Sequence, residues 1–169
     1  MPSTVSPFYV GGEWRGTSSE RPVAEILNPY DNSPVGKVAL ADEGDLQTAI
    51  ERALAGFQKT KSLQSYERHQ ILSFIAEKIR EQKEEFASLI VSEVGKPLSA
   101  ARGEIERSIT TFQYAAEESR RIGGDVVPLD ISVAGKNRYG VVRRFPLGVL
   151  VGISPFNFPL NLVAHKVAP

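Results

Sequence analysis

No cysteine occurs among the 169 residues. Disulfides, thiolate metal sites and a cysteine nucleophile are therefore excluded within this stretch. Net charge is missing too: 20 basic residues balance 20 acidic ones, so no overall field draws the chain to nucleic acid or to an anionic membrane surface. No apolar run approaches the roughly 20 residues that a membrane-spanning helix needs. The stretch from Met1 to Trp14 has no basic region followed by an apolar one. The expectation is a cytoplasmic protein whose partners are small molecules or protein, with no nucleic acid and no membrane. Two histidines, His69 and His165, are too few and too far apart to suggest a metal site. With 41% hydrophobic and 24% charged residues, the chain reads as globular material long enough for one domain with a core.

Three short β-rich segments lie in the first forty residues: Phe8 to Val10 before Gly11-Gly12, Val23 to Leu27 before Asn28-Pro29, and Val35 to Leu40. They read as antiparallel edge strands. From Asp42, a candidate N-cap, the period becomes helical, with Leu46, Ile50, Leu54 and Phe57 on one stripe. A second helix from Ser65, its candidate N-cap, places Ile71, Ile75, Ile79, Phe86, Ile90 and Val94 on one face over roughly eight turns. Gly95 and Pro97 end it. A third carries Leu98, Ala101, Ile105, Ile109, Phe112 and Ala116 up to Gly123-Gly124.

Asp125 to Val133 and Arg138 to Phe145, joined by Ala134-Gly135-Lys136-Asn137, then read as a β-hairpin with one face free to meet a partner. Val149 to Ile153 is a nearly continuous apolar run, the pattern of a strand covered on both faces in a parallel sheet. Pro159 suits a helical first turn, and Leu160 to Ala168 begins a helix. One parallel strand is not a sheet, so this last unit implies a neighbouring strand beyond Pro169.

Open parallel sheets bind ligands beyond the carboxyl ends of their strands, which puts Ile153, Ser154, Pro155 and Phe156 on the wall of such a crevice. The glycine-rich phosphate loop of ordinary dinucleotide folds is missing here, so the pattern names no nucleotide. Asn157 has two readings. It is a favoured residue for a helix N-cap, and its neutral amide is also suited to stabilising a developing oxyanion. Lys166 is likewise either a solvated charge answering the helix dipole or a functional group. Lys96, beside a helix end, and Glu104, a candidate buried charge anchoring the third helix, read as structural.

The order of motifs along the chain says more than any one of them. Gly11-Gly12-Glu13-Trp14, Asn28-Pro29-Tyr30-Asp31, Glu67-Arg68, Glu93-Val94-Gly95-Lys96-Pro97, Glu104, Pro146-Leu147-Gly148-Val149-Leu150, Pro155-Phe156-Asn157-Phe158-Pro159 and Lys166-Val167-Ala168-Pro169 follow one another. Together they resemble the aldehyde dehydrogenase superfamily, from about Phe8 to Pro169.

The resemblance implies an α/β fold: short antiparallel strands and three amphipathic helices over 1–124, a β-hairpin oligomerisation arm over 125–147, and over 148–169 the first strand-turn-helix of a parallel Rossmann-like sheet. It implies NAD- or NADP-dependent oxidation of an aldehyde to a carboxylate, with homo-oligomers, dimers or tetramers, as the assembly. Asn157 matches the oxyanion-hole asparagine, Lys166 a lysine that serves the general base, and Ile153, Ser154, Pro155 and Phe156 the segment lining the cofactor crevice. Phe156 stands where many members have tryptophan and is similar to members acting on small hydroxyaldehydes and semialdehydes. The family's nucleophilic cysteine and general-base glutamate lie downstream of this stretch. The expectation is thus an N-terminal portion that is inactive alone. The alternative is a non-catalytic interaction protein pairing with a full-length homologue.

Overall fold

Branched and aromatic residues between turn residues build the N-terminal strands, as the computed structural model shows for residues 5–16, 18 and 21–169. Strands β2 (Phe8–Val10) and β3 (Glu13–Arg15) pair antiparallel across Gly11-Gly12. Strands β4 (Val23–Leu27) and β5 (Pro34–Ala39) pair antiparallel as well, and β1 (Val5–Ser6) joins the far edge of β5 in parallel, giving the order β1-β5-β4. The three expected segments do form strands and pair antiparallel, but β5 is central rather than an edge, because the short β1, with no pattern to announce it, covers its far side in parallel.

Helix α1 (Glu43–Thr60) begins as expected at Asp42. The Asp42 carboxylate accepts from the Asp45 N–H while Asp45 accepts from the Asp42 N–H, a reciprocal cap that satisfies two otherwise orphaned donors. Its apolar stripe is another matter, since Leu46 and Leu54 are 60% and 54% exposed. The periodicity is real, but among the described residues only β2 lies substantially against this helix.

The second expected helix is two. Helix α2 (Ser65–Glu81) and helix α3 (Lys83–Val94) meet at Gln82, whose φ of −100° and ψ of 16° break the ladder without glycine or proline. Both segments pack on helix α4 (Leu98–Ser119). A straight helix from 65 to 94 would run about 45 Å against about 33 Å for α4, and the break lets both halves keep contact with the shorter partner. The cap of α2 is Gln64 rather than Ser65, its N–H donating to the Glu67 carboxylate at 2.7 Å.

Helix α4 is the axis of the core. Ala101, Ile105, Ile109, Phe112 and Ala116 are buried along it as their spacing predicts. They meet Ala76 and Ile79 of α2, Ala87 and Ile90 of α3, and Ala164 of helix α5 (Asn161–Val167), with Ala168 just beyond. This packing is what holds α5, too short to be stable by itself.

The hairpin is confirmed but shorter than its pattern suggested: β6 (Val126–Pro128) pairs antiparallel with β7 (Tyr139–Val141), and their connection contains a 3-10 turn over Val133–Gly135. The apolar run from Val149 to Ile153 is not a buried strand. It makes no ladder, and Val151 and Ile153 are 86% and 83% exposed. A strand exists only by pairing, and no described strand pairs with this segment.

Candidate active site

Pro155 and Pro159 frame the turn that leads into α5, and the structure separates the two readings of Asn157. The N-cap of α5 is Leu160, with no capping side chain of its own. Asn157 lies three residues upstream, exposed, and its amide has no hydrogen-bond partner among the described residues. It is not the cap. Pro159 also stands ahead of the helix rather than in its first turn.

The capping is done from another helix. Glu104, wholly buried in the second turn of α4, accepts through Oε1 from the N–H of Leu160 at 3.0 Å and of Asn161 at 3.2 Å. Its Oε2 accepts from Lys96 Nζ at 2.5 Å. A carboxylate beside free helix-start N–H groups satisfies donors that would otherwise stay orphaned in the interior. Glu104 thus anchors α5 to α4, which goes beyond the expected role within its own helix.

Lys96 reaches this place because Gly95 ends α3 in the left-handed conformation, φ 70°, and turns the chain inward. The Lys96 ammonium also stands 3.7 Å from the centre of the Phe158 ring, and the Arg107 guanidinium carbon 5.3 Å from it. Two cations on one ring face-hold the residue directly after Asn157.

Lys166, in the last turn of α5, is exposed. Its aliphatic stem lies against Gly152: a Cβ on that glycine would stand 3.1 Å from Lys166 Cβ. Residues 152 to 166 therefore close on themselves, with Ile153, Ser154, Pro155, Phe156 and Asn157 along the loop. Ile153 and Phe156 are 83% and 88% exposed, and Ser154 is half-buried. From Gly148 to Asn157 the backbone makes no hydrogen bond among the described residues. This gives an apolar wall with free N–H and C=O groups next to an exposed amide and an exposed lysine. Such a wall offers a small molecule apolar surface and backbone hydrogen-bonding groups.

Residues 14–169 match the aldehyde dehydrogenase family. The chain belongs to that family. It is 38% identical over 162 residues to the 3-sulfolactaldehyde dehydrogenase of Priestia aryabhattai, covering 96% of this chain and 33% of that protein. Aldehyde dehydrogenase 21 from Physcomitrella patens, solved with its reaction product succinate, superposes with a TM-score of 0.91 at 40% identity, over 99% of this chain and 34% of that one. An NADP-dependent glyceraldehyde-3-phosphate dehydrogenase from Bacillus halodurans, complexed with NADP, gives a TM-score of 0.89 at 31% identity, over 97% of this chain and 34% of that one. This chain spans about a third of the length of the aldehyde dehydrogenases it matches.

Glu104 is buried, as its place in the pattern suggests, but its capping of α5 and the part played by Phe158 were not foreseen. A signal for Glu104 was present, because it lies three residues after Ala101 and next to Ile105 on the buried stripe of α4. A charged residue in that register must find partners inside. Phe158 carried no comparable mark, since its cations come from elements far away in sequence.

Proposed function

We propose that this chain supplies the oxyanion donor and part of the cofactor wall of an NAD- or NADP-dependent aldehyde dehydrogenase acting on a small aldehyde of hydroxyaldehyde or semialdehyde type. The observation that carries the reading is the exposed amide of Asn157, without a hydrogen-bond partner among the described residues, on a turn tied down at Phe158, Leu160 and Asn161. In the reaction a thiolate from outside these residues adds to the carbonyl carbon, and negative charge gathers on the carbonyl oxygen. The Asn157 side-chain N–H donates to that oxygen, and being held in place beforehand it needs no reorganisation as charge develops. A nicotinamide held against this wall would supply the hydride acceptor for the oxidation.

Ile153, Ser154, Pro155 and Phe156 would hold that ring through apolar contact and backbone groups. Lys166 orients the proton-accepting side of the site from the end of α5. The hairpin over 125–147 serves as the arm between copies in a homo-oligomer, supported by its exposed apolar residues. The relatives' sulfolactaldehyde and the succinate of the plant enzyme support the small-aldehyde class.

The test is Asn157→Ala in a complete enzyme carrying this segment. Turnover is expected to fall by about 10² to 10³ while cofactor affinity stays near the parent value. Unchanged turnover would sink the oxyanion role.

A further inference from the structure

We infer that Glu104 is a positioning residue for the oxyanion donor: with Lys96 it clamps the turn from Phe158 to Asn161 and so fixes the direction in which Asn157 presents its amide. The inference rests on the oxyanion reading of Asn157.

The Glu104 carboxylate is fully used. One oxygen takes the N–H groups of Leu160 and Asn161, and the other takes the Lys96 ammonium. Core packing gives no reason for such a residue, because a buried ion pair is often no more stabilising than apolar side chains of the same volume. What the pair does that Leu or Met could not is hold backbone donors at a fixed distance and angle. Lys96 carries the same restraint one step closer to Asn157, since its ammonium touches both Glu104 and the Phe158 ring. Arg107, one turn along α4 from Glu104, meets the same ring. The residues on the C-terminal side of Asn157 are thus tied to α4 at three points, whereas Gly148 to Asn157 has no backbone hydrogen bond among the described residues. Direction at Asn157 is set from the α4 side.

A donor aimed at developing charge loses much of its effect when displaced by a fraction of an ångström to an ångström. The test is a double-mutant cycle in a complete enzyme carrying this segment. Glu104→Gln keeps the size and one acceptor oxygen but removes the charge that meets Lys96. Turnover is expected to fall on the order of tenfold, with KM for the aldehyde unchanged. In an Asn157→Ala background the same substitution costs no further turnover, because both changes act through one group. Phe158→Leu, which loosens the clamp without touching the carboxylate, lowers kcat in the same direction.

Amide hydrogen exchange on the 169-residue chain gives a second readout. Leu160 and Asn161 exchange faster in Glu104→Gln, while Ile105 and Ile109 keep their protection and so report an intact core. Full turnover in Glu104→Gln, additive losses in the double variant, or unchanged exchange at Leu160 and Asn161 overturns the inference. Full turnover in Asn157→Ala overturns the oxyanion reading and this inference with it, a result distinct from the others.

Discussion

The stem of Lys166 rests on Gly152, so close that a Cβ there would meet Lys166 Cβ at 3.1 Å and Cγ at 3.6 Å. Fourteen positions separate the two residues in the chain, and their contact brings the two ends of the segment 153–165 together. Gly152→Ala forces a shift of a few tenths of an ångström at Lys166, and Gly152→Val a larger one. In a complete enzyme the Val variant is expected to lose on the order of tenfold in turnover and the Ala variant less. Equal activity of both with the parent would mean that this contact does not set the site.

Gly95 stands at φ 70°, and a Cβ on it would lie 2.8 Å from Pro29 Cγ. A side chain at this position suffers twice, from the left-handed backbone and from the proline ring in the β4–β5 connection. Gly95→Ala is expected to destabilise the fold by about 1–2 kcal/mol, read as a lower midpoint in urea with an unchanged slope. Because Lys96 follows directly, the same variant should also loosen the Glu104 pair, visible as faster exchange at Leu160.

Much of this was legible in the sequence wherever a feature is local. Asp42 with Asp45 three positions on marks a helix start, and Gly95 before Pro97 marks a helix end. The buried stripe of α4 follows from steps of three and four between Ala101 and Ala116. What escaped depends on partners distant in sequence. The break at Gln82 has no glycine or proline to announce it and follows from how α2 and α3 share α4. The run from Val149 to Ile153 has the composition of a buried strand, but pairing and burial come from neighbours that composition cannot supply. Asn157 looks like a cap by residue type, yet Glu104, 53 positions earlier, already holds the donors that a cap would satisfy.

Asp45 is buried, and the Arg21 guanidinium hydrogen-bonded to it, with the Asp42 N–H second, holds its carboxyl below the usual carboxylate range. A folded-state pKa below the unfolded one means stability that is present above the unfolded value, near 4, and is lost as pH falls through the folded value. Asp45→Asn should therefore lower the melting temperature at pH 7 and have a smaller effect at pH 3, where the parent has itself begun to lose the interaction. Thermal melts of both proteins across pH 3 to 7 check this; parallel curves would show that the Arg21 pair contributes nothing to the fold.

Ile131 and Val133, in the connection between β6 and β7, are 90% and 94% exposed. Each strand of this two-stranded ribbon also leaves one edge unpaired among the described residues. Such a ribbon is marginal by itself, and fully exposed β-branched side chains beside open edges are what a second chain can cover. If the ribbon is the arm between copies, charging it should cost assembly and little else. Ile131→Asp combined with Val133→Asp is then expected to convert a homo-oligomer of a complete enzyme to monomer at micromolar concentration in sedimentation velocity. The melt of the α2–α3–α4 core should stay near the parent value, since neither side chain contributes to it. An oligomer that survives both charges would place the contact between copies elsewhere on the chain.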